Sequence, residues 1–268
     1  MAFQYRKVLL IGATSGIGEA LAEKLVADGT FVIVVGRRKE KLDSFVNKHG
    51  EGKAAAVELD ITKLDRIPPA VSTITSSHPD IDCIFLNSGI QRPFDFTRPE
   101  TINLDDLEQE LTTNYLSFVH LTRYLLPILQ KQSRQTSIVY TSSQLGIVPM
   151  VRAPNYGASK AALHHFVLAL REQMKDGPGN VNVVEIFPPA VQTELHDAKH
   201  QPDLKNGHQI GIPLQEFIDS TWTGLVKGDE QIAVGPAKDI FDAVEPTRQR
   251  IFRDLHAQLT KVLQDFLV

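Results

Sequence analysis

The sequence predicts a doubly wound parallel α/β sheet of about seven strands, built as a single domain. Three observations carry this reading. Short apolar runs alternate with longer helix-patterned stretches along most of the chain. The runs are mostly unbroken rather than alternating, as strands covered on both faces require. A glycine-rich turn joins the first run to the first helical stretch.

In order, "KVLLI" (7–11), "FVIVV" (31–35), "AAAVEL" (54–59), "IDCIFL" (81–86), "SIVYT" (137–141), "VNVVEIF" (181–187) and "QIAVG" (231–235) read as strands. Between them "IGEALAEKLVAD", "KEKLDSFVNKH", "LDRIPPAVSTITSS", "LDDLEQELTTNYLSFVHLTRYLLPILQKQ" and "ASKAALHHFVLALREQMK" have helical spacing. Pro127 is expected to end or kink the fourth of these near its last turns. Residues 189–216, rich in His, Pro, Gly and Gln, read as a mobile loop or substrate lid. Residues 238–268 read as a C-terminal helical extension, amphipathic over 238–266. Its candidate apolar positions are Ile240, Val244, Ile251, Leu255, Leu259, Leu263 and Phe266. That helix could dock on its own domain or on a partner subunit.

The bulk numbers exclude several classes. The 268 residues are ample for one large core, and no linker divides them into more than one domain, 1–268. Hydrophobic residues make up 42% and charged residues 22%, an ordinary balance. A net charge of −4 without a run of Lys or Arg speaks against nucleic acid as a partner. No stretch reaches the ~18 apolar residues of a membrane span. The single cysteine, Cys83, lies in an apolar run and reads as a buried small side chain. Having no internal partner, it fits a reducing compartment, and the expected location is cytoplasmic.

The first turn, "LLIGATSGIGEAL", spaces Gly12, Gly16 and Gly18 as G-x3-G-x-G. Glycine admits close approach of a ligand, and the following helix start offers free N–H groups to a pyrophosphate. About twenty residues on, an acidic side chain would hold the ribose hydroxyls of NAD. This chain has Arg37 and Arg38 there instead. Two guanidinium groups suit a 2′-phosphate, so NADP(H) is favoured over NAD(H).

"PNYGASKAALHHF" sets Tyr156 and Lys160 four residues apart, on one face of a helix. A free phenol, with a pKa of ~10, is a poor acid at neutral pH, and a nearby ammonium would lower it. The plainer reading is a helix start with a surface lysine. Earlier, "YTSSQLG" ends the fifth strand with Ser142 and Ser143, and a hydroxyl at a strand's carboxyl end can hold a substrate oxygen, since ligands sit there in such sheets.

With these pieces the chain resembles a short-chain dehydrogenase/reductase over roughly 7–235. The matching residues are "GATSGIG", "LDI" at 59–61, "NSG" at 87–89, Asn114 in "TTNYLS", Ser143, "YGASK", and "PPAVQT" at 188–193. "NSGIQRP" and "TTNYLS" resemble the DltE-like oxidoreductase subgroup. The resemblance implies a Rossmann-type fold and a proton-donor role for Tyr156. Lys160 would lower the tyrosine's pKa and bind the nicotinamide ribose, and Ser143 would orient the substrate oxygen. Asn114 would hold a water leading from Lys160. Gly12, Ser15, Gly16, Ile17 and Gly18 would cradle the phosphates, and Asp60 and Ile61 would flank the adenine. Asn87 and Gly89 would line the groove, and Val191 and Thr193 would contact the carboxamide. The family also implies a homodimer or homotetramer, built on the helices at 104–131 and 156–175.

The pattern departs in three places. Ile11 replaces a threonine, Ser88 an alanine, and Pro189 the glycine of the usual Pro-Gly. Proline fixes φ and removes an N–H, which bears on the nicotinamide-side backbone contacts. His196 and His200 stand four apart but lack the pattern of a metal pair, so no metal is expected. His164 and His165 read as packing or interface residues. The substrate pocket is expected between Gln91 to Phe96, Leu145 to Arg152 and the 189–216 segment. Arg92 and Arg152 could meet an anionic substrate group there or face solvent, and solvent is the favoured reading. The expected activity is hydride transfer between NADP(H) and a small carbonyl/alcohol pair. The alternatives are a catalytically idle NADP-binding sensor or scaffold, and imine reduction.

Overall fold

A computed structural model describes residues 3–264 and 266. Its core is one seven-stranded sheet in the order β3-β2-β1-β4-β5-β6-β7, with every neighbouring pair parallel. The strands are β1 (Lys7–Ile11), β2 (Phe31–Gly36), β3 (Ala54–Glu58), β4 (Cys83–Leu86), β5 (Thr136–Thr141), β6 (Val181–Phe187) and β7 (Gln231–Ala233). All seven apolar runs became strands, within a few residues at their ends.

Along β1 the side chains alternate between two cores, which is why the run can be unbroken. Val8 and Leu10 pack on one face with Leu21 and Leu25 of α1 (Gly16–Ala27) and Leu42 and Phe45 of α2 (Lys39–His49). Leu9 and Ile11 pack on the other. There they meet Val71 and Ile74 of α3 (Ile67–Ser77), Leu121 and Leu125 of α5 (Ser117–Gln130), and Leu163 and Val167 of α6 (Pro154–Asp176). Cys83 is fully buried in β4, and burial pushes its thiol well up.

The long fourth helical stretch is not one regular helix. It opens as α4 (Leu104–Leu111), capped by Asn103 on the N–H groups of Asp105 and Asp106. It then widens into a π-turn at Thr112–Leu116 before α5 begins. Pro127 lies inside α5, which ends at Gln130, three residues later. Asn114 sits in the middle of the wide turn.

Residues 189–216 are stitched down. Val191 pairs with Ile212 in an isolated parallel bridge, and Ile212 N–H donates to the Ala190 carbonyl at 3.0 Å. Arg152 grips both carboxylate oxygens of Asp203, at 2.8 and 2.6 Å, and also bonds Gln201. The expectation that Arg152 faces solvent is thus corrected, and so is that for Arg92. The Arg92 guanidinium lies on α4 against Asp106 and Gln109, at 3.3 and 2.6 Å. The segment runs into α7 (Leu214–Lys227), whose Phe217 and Ile218 join the first core.

The C-terminal extension is α8 (Pro236–Leu263), starting two residues before the expected 238. Its first half docks on the domain, with Ile240 and Val244 half-buried and Ala237 and Glu245 buried. Beyond it Ile251, Leu255, Leu259, Leu263 and Phe266 are exposed. Residues 265, 267 and 268 of that extension lie outside the described residues.

The start of the sheet hangs on one buried carboxylate. Asp82, fully buried, accepts from the N–H groups of Arg6 and Lys7 at 2.9 Å and pairs with Arg134 at 2.8 Å. Replacing it by alanine strands two backbone donors in the core. We expect Asp82→Ala to lose roughly 2–4 kcal/mol of stability, read by urea denaturation.

Candidate active site

In this strand order the chain reverses its progress between β1 and β4. The loops leaving their carboxyl ends run to opposite sides there and leave a crevice, the place where open α/β sheets take ligands. A cavity of about 980 Å³ occupies it. Gly12, Ser15, Gly16, Ile17, Arg37, Arg38, Asp60, Ile61, Asn87, Gly89, Ser143, Tyr156, Lys160, Val191 and Thr193 all line it. Two expected site residues do not, Gly18 and Asn114, and both act from behind the wall.

The first turn is made of glycine for steric reasons that can be read directly. Gly12 and Gly16 have φ of +88° and +53°, in the left-handed region. A Cβ on Gly18 would fall 2.0 Å from the Gly12 carbonyl oxygen and 2.7 Å from Asn87 Nδ2. Gly18 therefore lets the first helix turn close against the loop. Asn87 ties the floor together, donating to the Gly12 carbonyl at 3.3 Å and accepting from Thr141 Oγ1 at 2.8 Å. Asp60 accepts from the Thr62 N–H and hydroxyl, at 3.0 and 2.8 Å, and so shapes the loop after β3.

The two arginines differ. Arg37 is exposed. Arg38 donates to the Thr14 carbonyl and hydroxyl, at 2.8 and 3.1 Å, and to Glu194 at 2.8 Å. Glu194 follows Thr193, whose methyl and Cβ lie 3.1 Å from where a Cβ on Gly16 would stand. The segment after β6 thus leans on the glycine turn, and Arg38 holds it there. Glu194 and Thr14 were not singled out from sequence; the exposed ion pair joins residues 156 apart. Pro188 and Pro189 line the cavity, and the Pro188 carbonyl accepts from Gln144 N–H at 3.1 Å.

Ser143 starts a short 3-10 turn, Gln144–Gly146, and its hydroxyl accepts from Leu145 N–H at 3.1 Å. Tyr156 and Lys160 lie on the first turns of α6, which begins at Pro154. Both are buried, at 6% and 2% exposure, so Lys160 is not a surface lysine. Its Nζ donates to the Thr141 carbonyl at 2.8 Å and lies 5.8 Å from the centre of the Tyr156 ring.

The phenol is not lowered in the chain alone. Burial pushes Tyr156 up to about 12; the Ser143 hydroxyl lowers it and the Glu110 charge raises it. In the chain alone the expected lowering by Lys160 does not outweigh burial. The ammonium is spent on a carbonyl and is itself drawn down to about 8 by burial, against Glu185 and Glu110.

Asn114 is fully buried and acts as a staple. Its Oδ1 accepts from Ile90 N–H at 3.0 Å, and its Nδ2 donates to the Ile90 carbonyl at 2.9 Å and to Ser159 Oγ at 3.1 Å. It fixes the loop after β4 to α6, with both amide protons used. One helical turn earlier is a carboxylate that sequence reasoning missed. Glu110, fully buried, accepts from Asn155 Nδ2 at 2.9 Å and from Arg92 N–H at 2.7 Å. Its only signal was an acidic residue on the apolar side of its helix. Ser142 and Gln144 line the same cavity, and among the described residues Ser142 Oγ and Gln144 Oε1 are buried without a hydrogen-bond partner.

On the substrate side Gln201 Nε2 donates to Gln91 Oε1 at 3.1 Å and to the Leu195 carbonyl at 2.8 Å, and lies 3.1 Å from His196 Nδ1. Among the described residues no three His, Cys, Asp or Glu side chains assemble as a metal site.

A glycine turn, a strand-end serine and a helical Tyr-Lys pair around one crevice define a dinucleotide-type oxidoreductase. The family model for short chain dehydrogenase matches residues 6–203, and the chain belongs to that family. It is 30% identical over 256 residues to the uncharacterized oxidoreductase DltE of Bacillus subtilis (strain 168), spanning 94% of this chain and 96% of the relative. A short-chain dehydrogenase from Sphingobium yanoikuyae in complex with NADPH superposes with a TM-score of 0.79. It is 22% identical, over 93% of this chain and 96% of that one. A Burkholderia phymatum short chain dehydrogenase/reductase in complex with NAD superposes with a TM-score of 0.77 at 19% identity, over 96% of each chain.

Two outcomes follow from this geometry. Gly18→Ala must push the Gly12 loop aside, and we expect nucleotide binding to weaken at least tenfold in a fluorescence titration. Glu110 has its pKa raised by burial to about 7, from an ordinary 4.5. The folded state therefore holds a proton that the unfolded chain gives up, and stability falls as pH rises through that window. The fall comes to ~3 kcal/mol at most. Glu110→Gln should flatten that part of the profile, measured by denaturation at several pH values.

Proposed function

We propose that the protein is an NADP(H)-dependent oxidoreductase acting on a small carbonyl/alcohol pair. One observation carries the reading: a single cavity is lined by the glycine turn and Arg37 at one end and by Ser143 and Tyr156 at the other. The residues suit a nicotinamide dinucleotide. A Cβ at Gly12 would strike Ser88 and one at Gly18 the Gly12 carbonyl, so the turn keeps its shape only with glycine, and the first helix turn, which has no side-chain cap at Ser15, offers its N–H groups to a phosphate. Arg37, exposed at the mouth, is free to take a 2′-phosphate. Arg38 is already held against Thr14 and has Glu194 to exchange for it.

The bound nicotinamide would supply the hydride. Ser143 would hold the carbonyl oxygen by its hydroxyl, and Tyr156 would give that oxygen a proton. Burial pushes its pKa up to about 12, so the phenol keeps its proton and offers that oxygen a hydrogen bond until charge develops there. Lys160, 5.8 Å from the ring centre, would stabilise the phenolate as it forms. Asn114 would keep the loop at Ile90 and the start of α6 in register. The segment at 189–216 would exclude water, held by the Arg152–Asp203 pair and the Val191–Ile212 bridge.

We also read the chain as a cytoplasmic homodimer or homotetramer. Leu116 and Tyr124 on the outer side of the fourth helical stretch are partly exposed, and no helix among the described residues is long and apolar enough to cross a membrane. Light scattering that finds only monomer would reject the assembly.

Fluorescence titration is expected to show NADPH bound more tightly than NADH. Arg37→Ala/Arg38→Ala should cost NADPH roughly 10- to 100-fold and leave NADH nearly unchanged. Equal losses for both nucleotides would refute the phosphate reading. Tyr156→Phe should lower turnover on a carbonyl panel about 10²–10⁴-fold with nucleotide binding retained. A protein that binds NADPH but reduces nothing in the panel is the idle sensor instead.

A further inference from the structure

Four residues before Tyr156, Arg152 anchors a buried polar chain in the wall of the cavity. Its guanidinium bonds both carboxylate oxygens of Asp203 and donates to Gln201 Oε1. Gln201 is fully buried. Its Nε2 lies 3.1 Å from Gln91 Oε1, 2.8 Å from the Leu195 carbonyl oxygen and 3.1 Å from His196 Nδ1. Gln91 and His196 are buried as well, at 3% and 7% exposure, and both line the cavity.

The hydrogen bonds fix every end of this chain. A guanidinium only donates, so the Gln201 oxygen must face Arg152 and its amino group must face the other way. Turned over, the amide would set N–H against N–H at Arg152 and oxygen against oxygen at Leu195 and Gln91. The Gln201 amino group only donates, so whatever meets it must accept. Gln91 therefore presents its oxygen, and His196 a bare Nδ1. This holds however two hydrogens are shared among three acceptors, because an N–H on Nδ1 would face a second donor at 3.1 Å. Burial and the Arg152 charge lower the pKa of His196, against Asp197, so the ring is neutral at pH 7. A neutral imidazole bare at Nδ1 carries its proton on Nε2.

Two donor ends are left over, the Gln91 amino group and the His196 Nε2–H. Among the described residues neither has a protein acceptor, and neither nitrogen is one of the polar atoms sealed in the core. Both side chains touch one nitrogen, Gln201 Nε2, so the two donors are neighbours. They stand near the tyrosine and lysine. Gly89, two residues before Gln91, comes so close to Lys160 that a Cβ on it would lie 3.8 Å from Nζ. Asn114 pins Ile90, between the two, by both its backbone groups.

We propose that Gln91 and His196 are specificity-determining residues, paired N–H donors that hold a second acceptor oxygen of the substrate, an uncharged ester, amide or ketone carbonyl beside the one that is reduced. The proposal deepens the proposed function and rests on it for the reacting carbonyl. The uncharged class follows from the local charges. Asp203 meets Arg152 in two bonds, so no net cation backs the donors, and Lys199, the next cation of this segment, is exposed. A carboxylate held here would be a buried anion without a counter-ion. A substrate lacking the second oxygen would leave the two donors dry once it filled the cavity.

The test uses the full chain labelled with ¹⁵N at histidine, with the His196 resonances assigned by His196→Phe. At neutral pH the wild type should carry a proton on Nε2 and none on Nδ1. A proton on Nδ1, alone or with one on Nε2, overturns the proposal. The probes are 2-, 3- and 4-oxo esters, the oxo acids of the same skeletons, and ketones in which a methylene replaces the ester carbonyl. Added with NADP⁺, which cannot reduce them, at least one oxo ester should shift the Nε2 proton resonance, and its matched ketone should not. No shift with any ester, or equal shifts with ester and ketone, overturns the proposal. With NADPH, the same ester should exceed its matched ketone in kcat/KM, and Gln91→Met and His196→Phe should each lower that ratio about tenfold. Equal losses on ester and ketone mark a merely structural role and overturn it, and a preference for the oxo acid overturns the uncharged class. Should a variant fail to fold, the wild-type resonance and ratio decide. If no probe is reduced, the proposed function fails, while the Nε2 shift on binding still decides this proposal.

Discussion

An ammonium at 2% exposure is the constraint around which this protein is arranged. Water cannot solvate Lys160, so the fold must. The end of β5 turns the Thr141 carbonyl toward it, α5 offers the face of Phe118 at 5.9 Å, and the charges of Glu110 on α4 and Glu185 on β6 oppose the loss of its proton. None of these comes from the same element as the lysine. The crossovers that bring them together run to opposite sides from the paired β1 and β4 and open the crevice between their loops. Stability and site share one geometry, and loosening either disturbs the other.

The glycine turn obeys the opposite logic. There the fold removes side chains so that backbone can meet backbone, at Gly18 against the Gly12 carbonyl, and so leaves donors without partners at the start of α1. One end of the crevice is thus over-supplied with cationic and N–H character. The other end holds a phenol too buried to ionise by itself. A bound dinucleotide of mixed charge fits this asymmetry, negative phosphates at one end and a cationic ring at the other.

The strands were legible because a sheet covered on both faces buries nearly every strand position, and runs such as "VLLI" stay apolar throughout. The glycine, serine, tyrosine and lysine positions were legible because each carries a local rule of spacing. The supporting charges were not. Glu110, Glu185 and Glu194 sit among apolar or ordinary polar neighbours in sequence, and their partners lie 45, 21 and 156 residues away. His164 read as packing for the same reason: nothing near it in sequence announces the carboxylates of Glu185 and Glu245 at its two ring nitrogens. The arginines misled in the other direction. A guanidinium in a loop reads as solvated until the fold supplies Asp203 or Gln109.

The wide turn at Thr112–Leu116 has a consequence for how this chain could change its length. A π-turn holds one residue more than the α-turn it replaces. Deleting a residue here would let the helix run on without a break, and a local view would count that as an improvement. Because the wide turn already absorbs the extra residue, the helix on either side would keep its facing, with Glu110 against α6 and Phe118 and Leu121 in the core. The deletion would be felt inside the turn, where the widening sets Asn114 against the Ile90 backbone and Ser159. The irregularity is thus a place where chain length can change by one residue without turning its flanks, at the expense of the staple it carries.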